Sequence, residues 1–263
     1  EPIWPIVERP VPQGDVPGEW YSPTQPFPTH PAPFDRQGFT EDDLIDYTPE
    51  LRAMALEAVQ DFRLSETIYT PPSLQDHPDG TRGLLSLPSS TGGANWEHSA
   101  FDPETGIVYV PSRTQLQVLA LAKNPDSDID LSQGFGVRAP RIQGLEIVKP
   151  PYGRVTAIDM NSGEHLWMIA NADTPERIKN HPLLEGVDVP RTGIPTRSGV
   201  LATKTLLFVG EGTGGAGASP IFRAINKDTG EIIFELDLPD NQTGLPFTYE
   251  HDGKQYLAMF VGG

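Results

Sequence analysis

Side chains able to do chemistry on their own are scarce in this 263-residue chain. There is no cysteine, which excludes a disulfide, a thiolate metal site and a cysteine nucleophile. The 6 histidines are His30, His77, His98, His165, His181 and His251, and none pairs with another at the H-x-x-x-H spacing that turns two imidazoles toward one metal ion. They read as surface or structural residues. No G-x-S-x-G elbow presents a serine nucleophile. The glycine run EGTGGAGAS, residues 211–219, has the look of a phosphate loop but lacks the Lys-Ser/Thr that makes one work. It lies between strands, not before a helix, and reads as a mobile loop. Carboxylates abound everywhere, so no pair stands out as general acid and base.

The net charge is −17, from 36 acidic and 19 basic residues scattered along the chain. That excludes nucleic acid as a partner, because phosphates need a basic face. No apolar run approaches the ~20 residues a spanning helix needs.

The elements that must position any site are organised around VTAIDMNSGEHLWMI, residues 155–169. Alternating residues lead to Asp159, a turn follows, and a second strand carries Trp167. A hairpin loop of this length contains a type I turn followed by a residue at positive φ, which suits Gly163. Asp159 accepts hydrogen bonds from the backbone just ahead of it, and Trp167 is large enough to pack on a neighbouring unit. The frame Ala-x-Asp-x-x-Ser/Thr-Gly-x-x-x-aromatic returns as Ala224, Asn226, Thr229, Gly230 and Phe234, and again as Ala100, Asp102, Thr105 and Gly106 with Val110 at the aromatic position. The opening Glu1-Pro2-Ile3-Trp4 matches its second half, so the chain reads as starting in mid-motif and as a piece of a longer protein. An absent leader or anchor then carries no weight. Short-strand repeats at intervals of roughly 40–70 residues predict blades of a β-propeller or related array. The expected outcome is an all-β fold of three to four antiparallel sheets side by side.

Around this scaffold the 28 prolines and 26 glycines mark turns and long loops. Residues 5–39 are proline-rich and read as an irregular segment draped over the sheets. Thr48-Pro49-Glu50 supplies a cap, a first-turn proline and an acid, starting a helix expected to run to about Arg63 with Leu51, Ala55, Val59 and Phe62 inward. Thr174-Pro175-Glu176 starts a short helix that His181-Pro182 stops. Residues 125–149 read as a loop-rich insertion. Asp252-Gly253 turns a final hairpin.

Several stretches together, EPIWPIVERPVPQ, PGEWYSPTQPFP, YTPPS, GGANW, AFDPETGIVYVPS, AIDMNSGEHLW, DTPERIKNHP, SGVLATKTLLFVGEG and FTYEHDGKQYLAMFVGG, resemble in order the C-terminal half of PQQ-dependent dehydrogenases of the membrane-bound quinoprotein glucose dehydrogenase type. The hairpin frame is similar to that family's tryptophan-docking motif, which staples each of eight four-stranded blades to the next. The resemblance implies part of one propeller domain over residues 1–263, with insertions near 5–90, 124–150 and 171–195. It also implies PQQ and calcium as cofactors of the complete protein and a sugar or polyol as substrate. A membrane quinone or cytochrome would be the acceptor, in a periplasmic setting with membrane association through a segment absent here.

The family's catalytic aspartate and calcium ligands belong to earlier blades, so no catalytic base and no metal ligand is assigned in this chain, and the fragment is expected to be inactive. What remains is cavity wall. Asn95 and Trp96, Arg113 and Arg197 are the candidate cofactor contacts, since a planar tricarboxylate needs flat surfaces and cationic partners. Relatives place an asparagine near Arg113, and alcohol-oxidising relatives place a tryptophan at Arg197. Packing or solvated roles stay open for each. The alternative function is a non-catalytic quinoprotein-like propeller serving as a binding or assembly scaffold. Exposed blade faces also predict self-association of the fragment.

Overall fold

A computed structural model describes residues 2–95, 99–126, 128–134, 136–213, 215 and 217–262. It divides into two compact units, one of Glu1–Gly92 with Gln115–Lys149, the other of Gly93–Thr114 with Pro150–Gly263.

The second unit contains the propeller-like part. Its first sheet is antiparallel and four-stranded, in the order His165–Ala170, Gly153–Asp159, Ile107–Arg113, Ala100–Asp102. Its second runs Val200–Ala202, Leu206–Gly210, Ile221–Asn226, Ile232–Asp237. A third piece is the hairpin Phe247–His251 with Lys254–Ala258, turned at Asp252-Gly253 as expected. Alternation decides how the two sheets meet. Ile107 and Tyr109, Val155 and Ala157 leave one sheet on the same face, and they pack with Val200, Leu207, Val209 and Ile225 of the other as one buried cluster.

One motif copy behaves differently from its reading as a separate repeat. The Ala100 copy shares a sheet with the Ala157 copy, because strand Ile107–Arg113 pairs with Gly153–Asp159 through seven positions, Gly153↔Arg113 to Asp159↔Ile107. The residue opposite Ala100 is Tyr109, not Val110. The true counterpart is the Ala224 copy. Ala157 faces Trp167 and Ala224 faces Phe234, each with a bulge immediately after the alanine.

In the first unit the helix spans Pro49–Ala58, capped by the Thr48 side chain, which accepts from the Leu51 amide at 3.2 Å. It ends before Arg63, which begins a short strand paired with Leu84–Ser86, so the outgoing chain is recruited into a sheet. Leu51, Ala55 and Val59 are buried as the spacing required. Residues 5–39 hold a regular ribbon that the sequence did not suggest: Ile6–Pro10 pairs antiparallel with Thr24–Pro28. In a ribbon of two strands each has an open edge, where a proline loses no ladder bond. Trp4 lies beside the His30 ring at 5.6 Å. Gln117–Ala122 is a strand of this unit, paired with Leu84–Ser86, so the excursion between the two middle strands of the first blade begins at Gln115 rather than near 124.

Candidate functional site

The motif turns are built alike. Gly106, Gly163 and Gly230 have φ of 76°, 77° and 76°, the left-handed conformation expected at Gly163. Each donates its amide to the carbonyl of the turn's acidic or amide residue, Asp102, Asp159 or Asn226. The Asp159 side chain accepts from the Asn161 amide at 2.8 Å and the Ser162 hydroxyl at 3.0 Å, which holds its carboxyl below the usual carboxylate range, the Asn161 backbone bond being the largest cause.

Between the two sheets these turns form a clasp. The Trp167 indole lies over Gly230, where an added Cβ would stand 3.0 Å from ring atoms, and its Nε1 donates to the Lys227 carbonyl at 3.0 Å. Lys227 in turn extends its ammonium to Asp102 of the first sheet, Nζ to Oδ2 2.5 Å, with side chains only 5% and 7% exposed. Asp102 also accepts from the Thr105 hydroxyl at 2.7 Å and the Glu104 amide at 3.0 Å. Its carboxyl is held down at about 2, first by the Lys227 bond and then by Thr105. The ring of Tyr109 is 5.8 Å from that of Trp167, and burial, with the Asp102 and Asp228 charges behind it, pushes its phenol up to about 12. The sequence signalled Trp167 but not the Asp102–Lys227 pair, which joins the acidic position of one turn to the variable position after Asn226 in the other.

The candidate contacts lie at the end of the sheets where strands Ile107–Arg113 and Leu206–Gly210 finish. Arg113 is 8% exposed and its amide donates to the Gly93 carbonyl at 2.8 Å, which fastens the GGANW stretch to the strand end two residues before the exposed Asn95. Trp96 lies outside the described residues. Arg113 faces Gly153, and a Cβ on Gly153 would stand 1.9 Å from the Ile194 carbonyl oxygen, so the segment bearing Arg197 packs directly on this edge. Arg197 is exposed and bridges Thr213, its amide donating to the Thr213 carbonyl at 2.9 Å.

Behind these residues is a polar seam that sequence reading missed. Asn171 Nδ2 donates to Ser198 Oγ at 3.0 Å, the Gly212 amide donates to the same oxygen at 3.2 Å, and Thr196 Oγ1 lies 3.1 Å from it. Gln242 accepts from the Gly210 amide at 2.7 Å and donates to the Gly199 carbonyl at 3.0 Å. Buried Arg154 donates to the Thr114 hydroxyl. Single serines, asparagines and glutamines carry no spacing signal; only the run of Gly210 and Gly212 hinted that backbone comes close here.

The described residues at the two ends of the glycine run, read from the sequence as a mobile loop, are held in place; Gly214 and Ala216 lie outside the described residues. Gly212 is buried, and a Cβ there would fall 1.3 Å from the Arg197 carbonyl oxygen. At its base Glu211 accepts the Ser219 amide at 2.8 Å and meets Arg223 at 2.8 Å, both side chains 1% exposed. Arg223 also reaches Glu235 at 2.7 Å. Glycine here permits close approach rather than flexibility.

A family described as PQQ: Glucose/ethanol/alcohol dehydrogenase, beta-propeller domain, matches residues 1–257. The chain belongs to this family. Among curated PQQ-family relatives it is 28% identical over 286 residues to the quinate/shikimate dehydrogenase (quinone) of Acinetobacter baylyi, covering 100% of this chain and 34% of that protein. It is 29% identical over 299 residues to the glycerol dehydrogenase large subunit of Gluconobacter thailandicus, covering 100% and 38%. With quinoprotein glucose dehydrogenase A of Acinetobacter calcoaceticus the figures are 28% over 291 residues, covering 100% and 34%. The chain thus spans about a third of the length of the curated relatives it matches.

The donor set at the strand ends, two guanidiniums and a carboxamide, suits a polycarboxylate such as PQQ, because guanidinium and carboxamide N–H groups donate to carboxylate oxygens. A metal is a different matter. Among the described residues no three of His, Asp or Glu converge to hold an ion. No described helix is long and apolar enough to cross a membrane.

Proposed function

We propose that this chain forms later blades of one propeller domain in a PQQ-dependent dehydrogenase that oxidises a sugar or polyol. In this reading Asn95, Trp96, Arg113 and Arg197 line the cofactor-facing wall. The observation that carries it is the family match over residues 1–257, joined to the backbone bond that brings the GGANW stretch to Arg113. The relatives whose names specify quinate, glycerol and glucose share a polyhydroxylated substrate, which gives the substrate class.

PQQ, when bound, supplies a two-electron acceptor for hydride from the substrate alcohol. The chain's own residues do the holding. Arg113 and Arg197 pair with carboxylates, Asn95 donates an amide N–H, and Trp96 gives a flat face. The rigid seam of Ser198, Asn171 and Gln242 keeps the strand ends fixed, so little ordering is left to occur on binding. The catalytic base and the calcium belong to residues outside this chain, and the fragment alone is inactive. Electrons pass to a membrane quinone or a cytochrome, and the protein works in the periplasm, held to the membrane by a segment beyond these residues.

The test is dye reduction by the complete protein supplied with PQQ and calcium, offered glucose, glycerol and quinate in turn. Reduction with at least one of them is expected. No reduction with any sugar or alcohol overturns the reading in favour of a scaffold.

A further inference from the structure

The bridge between Arg197 and Thr213 has a consequence for ligand chemistry. Directly opposed residues of an antiparallel pair put their side chains on one face, with Cβ atoms about 4.5–5.5 Å apart. Both residues are exposed. One brings a permanent cation and five fixed N–H donors, the other a hydroxyl. Little can shift beneath them. The Arg197 amide is bonded to the Thr213 carbonyl at 2.9 Å, and the adjacent residues Ser198 and Gly212 are bonded hydroxyl to amide at 3.2 Å. Ser198 is itself 2% exposed, and its one oxygen meets Asn171, Gly212 and Thr196, a filled set of partners. Two side chains at Gly positions are also forbidden: a Cβ at Gly212 would strike the Arg197 carbonyl, and one at Gly215 would stand 2.4 Å from Ile194 and 2.7 Å from Thr196. Gly212 and Gly215 therefore lie flush on residues 194–198, and the pair is presented from a braced backbone.

We propose that Thr213 joins Arg197 as the second half of a carboxylate-binding edge: the guanidinium gives charge and direction, and the hydroxyl donates the third hydrogen bond to the same carboxylate. The inference rests on the reading of the chain as a wall of the PQQ cavity, and it adds a binding residue that no motif in the sequence marks. The carboxylate can come from the cofactor or from a carboxylated polyol, and the experiment separates the two.

The complete apoprotein is titrated with PQQ, and separately with quinate and with glucose, in wild type, Arg197→Gln, Thr213→Val, the double variant and Thr213→Ser. Charge-assisted hydrogen bonds of this kind predict that each single substitution weakens carboxylate binding about tenfold. Because both groups hold one carboxylate, the double variant should be scarcely weaker than the worse single one. Thr213→Ser should retain wild-type affinity, a rescue that a merely structural role of the methyl group would not give. Losses confined to PQQ place the carboxylate on the cofactor; losses for quinate but not for PQQ or glucose place it on the substrate. Wild-type binding that neither substitution alters, or that the two alter independently, overturns this inference alone. Wild-type protein that binds neither PQQ nor quinate overturns it together with the proposed function.

Discussion

Replacing Lys227 with methionine isolates the clasp between the two blades. The substitution keeps the length and apolar stem of the side chain and removes only the ammonium, so packing against the Trp167 turn is preserved. Asp102 is left behind with its side chain 7% exposed. Stranding one member of a fully buried pair costs about 3–5 kcal/mol. Here the carboxylate keeps the Thr105 hydroxyl at 2.7 Å and the Glu104 amide at 3.0 Å, so the loss moves toward that of one hydrogen bond to a charged group, about 1.5–3 kcal/mol. The expected cost is about 3 kcal/mol. Native-state hydrogen exchange of strands Gly153–Asp159 and Ile221–Asn226 reads it, because their most protected amides report opening of this unit. The pH dependence has a definite sign. Asp102 is held down at about 2 against an unfolded value near ~3.9, so its contribution is complete above pH ~4 and is lost as the pH falls toward 2. In Lys227→Met the largest cause of that depression is gone, so the acid-dependent loss tied to Asp102 should be smaller and complete at a higher pH. A cost below ~0.5 kcal/mol, or costs for Lys227→Met and Asp102→Asn that simply add in the double variant, would refute the clasp.

Three further outcomes are expected. Trp167→Ala should destabilise the same strands by about 2–4 kcal/mol, below the full value for a core tryptophan because the ring is half-buried; exchange rates unchanged from wild type would remove the docking role. Gly230→Ala forces a side chain into φ 76° with Trp167 ring atoms at 3.0 Å, and should cost more than the ~1 kcal/mol of a plain glycine replacement, read by the same exchange measurement; a neutral result would mean that the indole does not sit on this turn. The isolated 263-residue chain should bind PQQ more weakly than micromolar and should self-associate, since Phe234 is 59% exposed on an outer strand and Phe260 72% exposed beyond the last hairpin; saturable micromolar quenching on titration, or a monomer at all concentrations in sedimentation, would contradict this.

Much of the fold was legible because the motif joins a local to a non-local demand. Gly163 and Gly230 need positive φ wherever their turns pack, and Trp167 has too much apolar surface to stay outside. The Thr48-Pro49 start was equally local. The helix end was not: residues 59–64 keep an apolar pattern, and a partner strand from residues 84–86 decided the outcome. The ribbon near the N-terminus stayed hidden because Pro10, Pro26 and Pro28 argue against strands in general, and only edge positions tolerate them. Nor could spacing tell that the Ala100 copy shares a sheet with the Ala157 copy, since residues 115–149 intervene and only pairing reveals it. At the candidate site, Arg113 and Arg197 were nominated through resemblance alone. Ser198, Asn171 and Gln242 escaped because a buried polar seam is a property of convergence, and the close approach of Gly212 and Gly215 carried no signal of its own because glycine serves close approach as readily as motion.

The central claim is that these blades wall a PQQ site, and equilibrium titration of PQQ into the complete apoprotein tests it most directly, with Arg113→Gln alongside the wild type. The account predicts saturation at one PQQ per chain and about tenfold weaker binding when Arg113 loses its charge. A complete protein that takes up no PQQ, or binds it equally well without the Arg113 guanidinium, would contradict it.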